Sequence, residues 1–487
     1  MSISSILSIA RSALQTYQLE EQVASHNIAN ANTDGYSAQR AVVTAAPYYA
    51  TADGVFGTGV QVTDIGRNRD AFLDATYRDE SSGASAANTG SGILGRIGGV
   101  LGEPSDSGLA ASLDAFWSAW DDLANDPSSQ SARSVLAQRG AQVAADFNSR
   151  ANGVAQVKAD TITSLQTGVT RLNQLSTQVA DLNHRIVALQ SGGRTAGDLL
   201  DQRDSALDEM ATLVPLQVIQ HDNGSVSANV NGNLLVDGAQ ALSIRAGTDP
   251  ATGNWTLMTA RGTPVQVMGG GSIGAMMDAV NKQIPDTLNR LDTLAAGVAT
   301  AVNAWHEQGV TASGQAGAFF DAANGVVTAG TIKVTDAVTA DPGATIAAGT
   351  GAVDASGNPV LDASGNPVYA PGRNDIARGM AALRAATVHV PAGSGATDPL
   401  SSPPTSFADF YSRLVTDRGA DTQTAQDAAS VHQSLADQAQ NQRDSVSGVS
   451  TDEELTHLLE AQSAYSAAAK IVTTVDQMMQ DLLDMVP

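Results

Sequence analysis

A chain of 487 residues is long enough for three or four domains of ordinary size, so it is not a single small domain. Its 26 Lys and Arg against 50 Asp and Glu leave a formal charge of −24, a field that repels phosphate backbones and anionic lipid surfaces and counts against nucleic-acid and membrane-surface roles. It contains no Cys, which excludes thiolate nucleophiles, iron–sulfur clusters, thiolate zinc sites and disulfide staples.

Aromatic residues make up only 4% while the hydrophobic fraction is 42%, so the cores must be built mainly from Ala, Val, Leu and Ile, a composition suited to long thin layers. The opening MSISSILSIA lacks a basic n-region, and Arg11 interrupts it before signal-peptide or spanning length is reached. No cleaved targeting sequence and no membrane-spanning segment are expected.

Ile3, Leu7, Ala10, Leu14, Tyr17, Glu21, Ala24 and Ile28 follow one another at alternating spacings of four and three, a heptad seam with a single polar member. Leu458, Ala461, Tyr465, Ala468, Val472, Val475, Met479, Leu482 and Val486 repeat that spacing without interruption. Each end therefore predicts a helix with an apolar stripe, and covering one stripe with the other pairs the two termini. The first helix ends at Ala29-Asn30-Ala31-Asn32-Thr33-Asp34-Gly35-Tyr36, a cluster of residues that accept turn conformations. Val42, Val43, Val55, Phe56, Val60 and Val62, punctuated by glycines, read as short extended pieces.

Helical spacing governs residues 112 to 214, with a break at Asp126-Pro127, a long helix stopped by Gly192-Gly193, and a further helix from Leu199 to Val214. Between Leu216 and Val267 the period falls to two. Asn223-Gly224, Asn231-Gly232 and Asp237-Gly238 supply hairpin turns there, and the first of these accounts for the Asn223-Gly224-Ser225 sequon. A helix after Pro285 carries Leu288, Leu291, Ala295, Val298, Val302 and Trp305 on one face. Residues 311 to 405 are rich in Gly, Ala, Thr and Pro, and Asp354-Ala-Ser-Gly-Asn-Pro-Val360 recurs from Asp362 to Val368 as strands and turns. Helix returns from Phe407 to about Ser445 and resumes after Gly448.

These elements predict an α+β multidomain chain: paired terminal helices in a coiled-coil-like inner domain, a long-helix body, and β-rich insertions. The boundaries read as 1–45 with 446–487 for the terminal domain, and 46–215 with 268–310 and 406–445 for the body. A small β module occupies 216–267 and a β-rich outer insertion 311–405.

Gly270-Gly271-Ser272-Ile273-Gly274 matches the nucleophile-elbow pattern after an apparent strand, so a secreted serine hydrolase using Ser272 is the alternative of another class. Against it, the chain lacks the alternating βα units such an elbow needs, and Ser is a favoured N-cap. Gly90-Ser91-Gly92-Ile93-Leu94-Gly95 fits the dinucleotide fingerprint only formally, because no buried strand precedes it. His26, His184, His221, His306, His389, His432 and His457 are scattered without metal-ligand spacing. The dense carboxylates Asp198, Asp201, Asp204, Asp208 and Glu209 spread around a helix beside Arg203, which predicts a solvated face rather than an acid/base pair. No catalytic residue, metal or cofactor is expected.

The run from Asn27 to Tyr36 resembles the motif shared by the axial proteins of the bacterial flagellum, which form its rod, hook and hook-associated parts. Gly57-Thr-Gly-Val60, Arg69-Asp-Ala-Phe72, Leu199-Leu-Asp-Gln-Arg-Asp204, Ser447-Gly-Val449, Asp452-Glu-Glu454 and Gln462-Ser-Ala-Tyr465 are similar to the hook–filament junction members of that family. Ala38 stands where the family commonly has Arg, with Arg40 two positions on, so no role for that side chain carries over. The resemblance implies a structural adaptor of the extracellular flagellum, exported through the type III apparatus without a cleaved signal. It implies self-association in a ring, with hook protein on one side, a second hook-associated protein on the other, and a cytoplasmic export chaperone on the C-terminal helix. A rod or hook axial subunit is the alternative within the class. On this reading Ile3, Leu7, Leu14, Tyr17, Ile28, Leu458, Tyr465, Val472, Val475, Met479, Leu482 and Val486 pack against neighbouring subunits. Asn27, Asn30, Asn32, Gly35 and Tyr36 form the turn motif, with Tyr36 anchoring it by packing.

Overall fold

The computed structural model describes residues 3–51, 54–192, 194–267, 269–322, 325–387 and 405–485. In chain order, α1 (Ile3–Asn30) precedes four strands, β1 (Gln39–Ala45), β2 (Tyr49–Thr51), β3 (Gly54–Phe56) and β4 (Val60–Arg67). The helices α2 (Ala71–Leu101), α3 (Leu109–Asn125), α4 (Gln130–Ser191) and α5 (Gly197–Leu213) follow. Seven strands come next: β5 (Gln217–Gln220), β6 (Val226–Val230), β7 (Asn233–Asp237), β8 (Gln240–Ala241), β9 (Ile244–Thr248), β10 (Trp255–Thr259) and β11 (Pro264–Val265). After α6 (Gly271–Asp278) a π-helical turn, Ala279–Gln283, leads into α7 (Ile284–His306). Short elements follow: β12 (Val310–Thr311), β13 (Gly314–Gln315), β14 (Phe320–Ala322), β15 (Ile332–Val334), α8 (Asp336–Ala340), α9 (Pro342–Thr345) and α10 (Asp375–Ala382). The long helices α11 (Phe407–Ser447) and α12 (Thr451–Asp484) close the chain. The architecture is α+β and multidomain, with long helices at both ends and small antiparallel sheets set among helices.

The chain divides into two compact units, the first made of Met1–Ala86, Gln166–Gly274 and Ala428–Pro487, the second of Ala87–Leu165 and Ala275–Asp427. In the first, α1 packs along α12 and against the antiparallel β1–β4 ribbon, which pairs Gln39 with Arg67 and carries a bulge between Val42 and Val43. The residues from Gln217 to Val265 form a four-stranded sheet, β5-β6-β7-β8, and a three-stranded one, β11-β10-β9. All five residues of β6 are buried, so its two polar members need partners. Ser227 Oγ donates to Asp237 Oδ1 at 2.9 Å, and Asn229 Oδ1 accepts from the Gly232 amide at 3.2 Å.

One device recurs at three places where the chain packs an extended segment on a long helix. The side-chain amide of a helical Asn pairs with both backbone groups of one strand residue, or with groups of neighbouring residues, replacing a missing strand partner. Asn173 on α4 donates to the Ile244 carbonyl at 2.7 Å and accepts from its N–H at 3.0 Å. Asn183, fully buried on the same helix, does the same to Val226 at 2.8 and 3.1 Å. In the second unit Asn303 on α7 accepts from the Phe319 and Phe320 amides and donates to the Phe320 carbonyl. Buried backbone groups at a sheet edge must be paired, and an Asn offers a donor and an acceptor at the right separation.

The second unit holds six of the eight Phe, at 116, 147, 319, 320, 407 and 410, all buried. Phe116, Trp117, Trp120, Phe319 and Phe320 meet at centroid distances of 4.9 to 6.2 Å in edge-on and tilted geometries. His306 lies inside this cluster, 2.6 Å from the Gly317 carbonyl through Nδ1, while Nε2 accepts from the Ala347 amide at 3.2 Å. Burial pulls its pKa down to about 4, so the ring is a neutral Nδ1–H tautomer.

The tandem repeat forms two matching turns: Asp354 Oδ1 accepts from the Ser356 and Asn358 amides, and Asp362 Oδ1 from those of Ser364 and Asn366, at 2.8 and 2.9 Å each. Elsewhere in residues 311 to 387 the strands β12 to β15 are two or three residues long, and the short helices α8, α9 and α10 follow them. His389 and residues 388 to 404 lie outside the described residues.

Candidate functional site

The exit from α1 is built on Asn27, whose side chain is fully buried. Its Nδ2 donates to the Gln39 carbonyl at 2.9 Å and its Oδ1 accepts from the Gln39 N–H at 3.0 Å, which pins the first residue of β1 to the helix. The same Oδ1 accepts the Tyr36 hydroxyl at 2.7 Å, and His26 Nδ1 lies 2.9 Å from that hydroxyl. Because the phenol proton is committed to Asn27, His26 donates to Tyr36. Tyr36 therefore anchors the turn chiefly through its hydroxyl, where packing alone was expected. Burial, then the nearby carboxylates of Asp198, Asp201 and Glu454, push its ionisation up and keep it a donor.

Asn30 Nδ2 caps the His26 carbonyl at 3.0 Å, and the Thr33 amide returns to the Asn30 carbonyl at 2.9 Å. Gly35 turns the chain at φ +76°, and a Cβ there would meet Ser205 Oγ at 2.5 Å, so two constraints demand glycine. Asn32 is exposed. Replacing Asn27 by Ala leaves both backbone groups of the half-buried Gln39 without that partner and is expected to cost about 1–3 kcal/mol in all, whereas Tyr36→Phe loses one hydroxyl and about 1 kcal/mol. Urea midpoints of the two variants check that order.

Ser37, buried directly after the turn, donates its N–H and hydroxyl to Asp201 on α5 at 3.1 and 2.8 Å. Asp201 opens a charge network that the spacing of residues 198 to 209 did not suggest. A solvated face was expected there; Asp201, Asp204 and Arg203 are instead buried. Arg67 Nη1 bridges Asp201 at 2.6 Å and Asp204 at 2.9 Å. Arg69 Nε reaches Asp74 at 2.9 Å and Asp204 at 3.7 Å. Asp208 takes Arg78 from the start of α2 and Arg443 from the end of α11, each at 2.6 Å, and Arg443 also stacks on Tyr77 at 4.2 Å. Four arginines thus face the four carboxylates of Asp74, Asp201, Asp204 and Asp208. Arg203 turns away to the Gly224 carbonyl at 2.7 Å and Asn183 Oδ1 at 3.2 Å. Burial works against the charge of Arg69, but the Asp74 hydrogen bond and the fields of Asp204, Asp74 and Asp208 outweigh it and raise its pKa.

The start of α12 closes the turn from the other end. Ser450 is its N-cap, accepting from the Glu453 amide, and Asp452, Glu453 and Glu454 fill the positive first turn. Arg40 on β1 reaches Glu454 at 2.9 Å and Glu453 at 3.4 Å. The Ala38 amide donates to the Ser447 carbonyl at 2.8 Å.

From this anchored end α1 and α12 run together. On α12 one heptad column, Glu454, Ala461, Ala468 and Val475, is buried. Leu458 and Val472 are half-buried, as are Ile3, Leu7, Leu14, Tyr17 and Ile28 on α1. Tyr465 and Met479 are exposed, together with Leu455, Leu459, Ile471, Met478 and Leu483; Leu459 is 62% and Leu483 69% accessible. The side chain of Leu482 and all of Val486 lie outside the described residues. The apolar stripe of α12 is therefore wider than the one helix that covers it.

The hydrolase motif has a different explanation. A Cβ on Gly271, at φ +71°, would fall 2.3 Å from the Leu213 carbonyl oxygen, so the glycines serve a close backbone crossing. The strand before Ser272 is the two-residue β11 of an antiparallel sheet, without the parallel strand–turn–helix setting of an elbow. The dinucleotide-like Gly90 to Gly95 lies inside α2. Among the described residues no group of three His, Asp or Glu is arranged to hold a metal ion.

The family model for the helical domain of the flagellar hook-associated protein FlgK matches residues 94–320. Models for the flagella basal body rod protein and for the C-terminal part of the basal body rod proteins FlgEFG match residues 7–36 and 440–485. Flagellar hook-associated protein 1 of Bacillus subtilis is 31% identical over 98% of this chain and 97% of its own length. The chain belongs to the flagellar hook-associated protein 1 family. Flagellar hook-associated protein 1 of Escherichia coli K12 is 27% identical over 99% of the chain and 100% of its own length. The structure of the flagellar hook junction protein FlgK from Burkholderia pseudomallei shares the fold, with a TM-score of 0.61 at 16% identity over 77% of this chain and 100% of that one. In this hook-associated protein 1 chain the rod-type matches are confined to α1 with its turn and to the last part of α11 with α12, whereas the full-length relatives are hook-associated proteins 1. That pattern separates it from rod and hook subunits. No helix among its described residues is long and apolar enough to cross a membrane.

Proposed function

We propose that the chain is a structural adaptor of the bacterial flagellum, joining hook to filament as a ring of identical subunits, and that its terminal helices are the assembly surface. The observation that carries this reading is the unequal covering of α12: Ala461 is 4% exposed, while Leu459, two residues before it, is 62% exposed. Each Leu, Ile or Met carried from exposure to full burial contributes about 1.5–3 kcal/mol, and the exposed residues of α12 offer several such gains to whatever packs on them. Hook protein contacts one side of the ring and a second hook-associated protein the other. Before assembly a cytoplasmic chaperone shields the C-terminal stripe, and the chain leaves the cell through the flagellar export apparatus without a cleaved signal.

The half-buried packing residues Ile3, Leu7, Leu14, Tyr17, Leu458 and Val472 complete their burial only between subunits, as do the exposed Tyr465 and Met479. Asn27, Asn30, Gly35 and Tyr36 set the angle at which α1 enters β1, and hence the direction of the helix pair from its anchor. Deleting the gene is expected to leave hooks intact but bare, with flagellin lost to the medium. Normal filaments on such cells contradict the adaptor role.

A further inference from the structure

The terminal helices carry nine acidic residues, two on α1 and seven on α12, against two basic ones, Arg11 and Lys470. Identical copies of this pair repel one another unless something offsets the charge at the contact. One place on the pair is built to receive it. A cleft of about 310 Å³ opens between α1, β1 and α12, lined by Glu20, Glu454, Glu460, His457, Tyr17 and Arg40, with small apolar residues at its base. Glu454 is 1% exposed; Arg40 holds its Oε1 at 2.9 Å, and its Oε2 is buried with no hydrogen-bond partner among the described residues. A buried carboxylate oxygen without a donor is expensive, and such orphans mark a missing partner.

The charges that face the cleft do not balance. Glu20, Glu454 and Glu460 stand against Arg40 alone, and His457 lies 3.6 Å from Glu453 and 3.7 Å from Glu460, adding positive charge only when protonated. Burial raises the pKa of Glu20, partly offset by His457, as for an acid lacking its counter-charge. A metal ion is the wrong occupant, because no three acids or imidazoles here converge at ligand distance among the described residues. A guanidinium or ammonium on a flexible stem suits both the acid set and the apolar base.

We propose that this cleft is a socket for a basic side chain of a second copy of the chain, which sets the register in which neighbouring helix pairs stack. The inference rests on the assembly role given above for α1 and α12. Arg11 and Lys470 are both exposed, and both lie nearer the chain ends than the cleft. From Arg11 to Glu20 is nine residues, or about 14 Å along a helix. A copy displaced along the pair by that order of distance brings one of the two into the socket.

The absence of Cys makes a direct test simple. Full-length Glu20→Cys chains are mixed with Arg11→Cys or Lys470→Cys chains at concentrations that drive assembly, then oxidised. At least one mixture is expected to yield a disulfide-linked dimer. In a second arm, Glu20→Lys is expected to weaken self-association about tenfold at low salt, and Arg11→Glu or Lys470→Glu in the companion chain to restore it. Among the described residues Glu20 makes no ion pair within 4 Å, so a folding defect is not the expected cause, and circular dichroism checks that. If neither mixture cross-links and no reversal restores association, the socket is wrong. Val472→Asp run in parallel separates the two ideas: should it abolish association while the socket variants do nothing, the assembly surface stands and the socket falls.

Discussion

Replacing Asp204 by Ala is expected to lower the stability of the first unit by about 3–5 kcal/mol. Asp204 is buried on α5 with Arg67 at 2.9 Å, Arg69 at 3.7 Å and Arg78 at 3.8 Å. Removing it leaves those guanidiniums desolvated and short of one negative charge. Burial alone would raise the pKa of Asp204, but Arg67, Arg69, Arg78 and Arg203 outweigh it and hold the carboxyl below its ordinary value. A carboxylate whose folded pKa is depressed stabilises the fold above its unfolded pKa of about 3.9, and that stabilisation disappears as pH falls through the lower folded value. The wild-type chain should therefore lose stability steeply below about pH 4, and Asp204→Ala should lose part of that acid sensitivity together with its stability at pH 7. Glu209→Gln is the control. It removes the charge of Glu209 and one of the two oxygens that accept from Arg171, each at 2.6 Å, but that pair is exposed and screened, so the denaturation midpoint should not move. Urea unfolding of the three chains at pH 7 and pH 3.5, followed through the first unit's transition, checks all of this.

Val472→Asp is expected to abolish incorporation while the rest of the protein stays folded. Val472 sits half-buried beside the covered column of Ala468 and Val475, where a carboxylate must either leave the seam or be desolvated without a partner. The second unit, with its aromatic cluster, shares no residue with α12 and should keep its unfolding transition. Cells carrying the variant should have hooks without filaments. Normal filaments would show that the stripe is not an assembly surface.

Much of this was legible in the residues. The seams at both ends, the helix stops before Asp126-Pro127 and at Gly192, and the change of period after Leu216 were all readable because hydrophobic periodicity and turn chemistry are local properties. The helix α2 was not. Its Ser, Ala and Gly content from Ser81 to Gly99 argues weakly for helix, and only tertiary packing holds it in that state.

The network around Asp201 and Asp204 was misread for a related reason. The acids stand together on α5, but their arginines come from residues 67, 69, 78 and 443, and no local spacing reveals that they converge. The resemblance had marked both halves, Arg69 to Phe72 and Leu199 to Asp204, without showing that they meet. Asn27 was named as part of a turn motif, yet its pairing with both backbone groups of Gln39 depends on where the ribbon lies.

On the proposed function, the terminal stripes are only partly satisfied in a single chain and are completed by neighbours. Amide hydrogen exchange on the free chain and on the assembled junction tests this most directly, because it reads the stability of α1 and α12 separately from that of α4 and α7. Weak protection across Ile3–Asn30 and Thr451–Asp484 in the free chain, rising to the level of the body helices on incorporation, is the expected result. Protection in the free chain as strong as that of α4, unchanged by assembly, contradicts it.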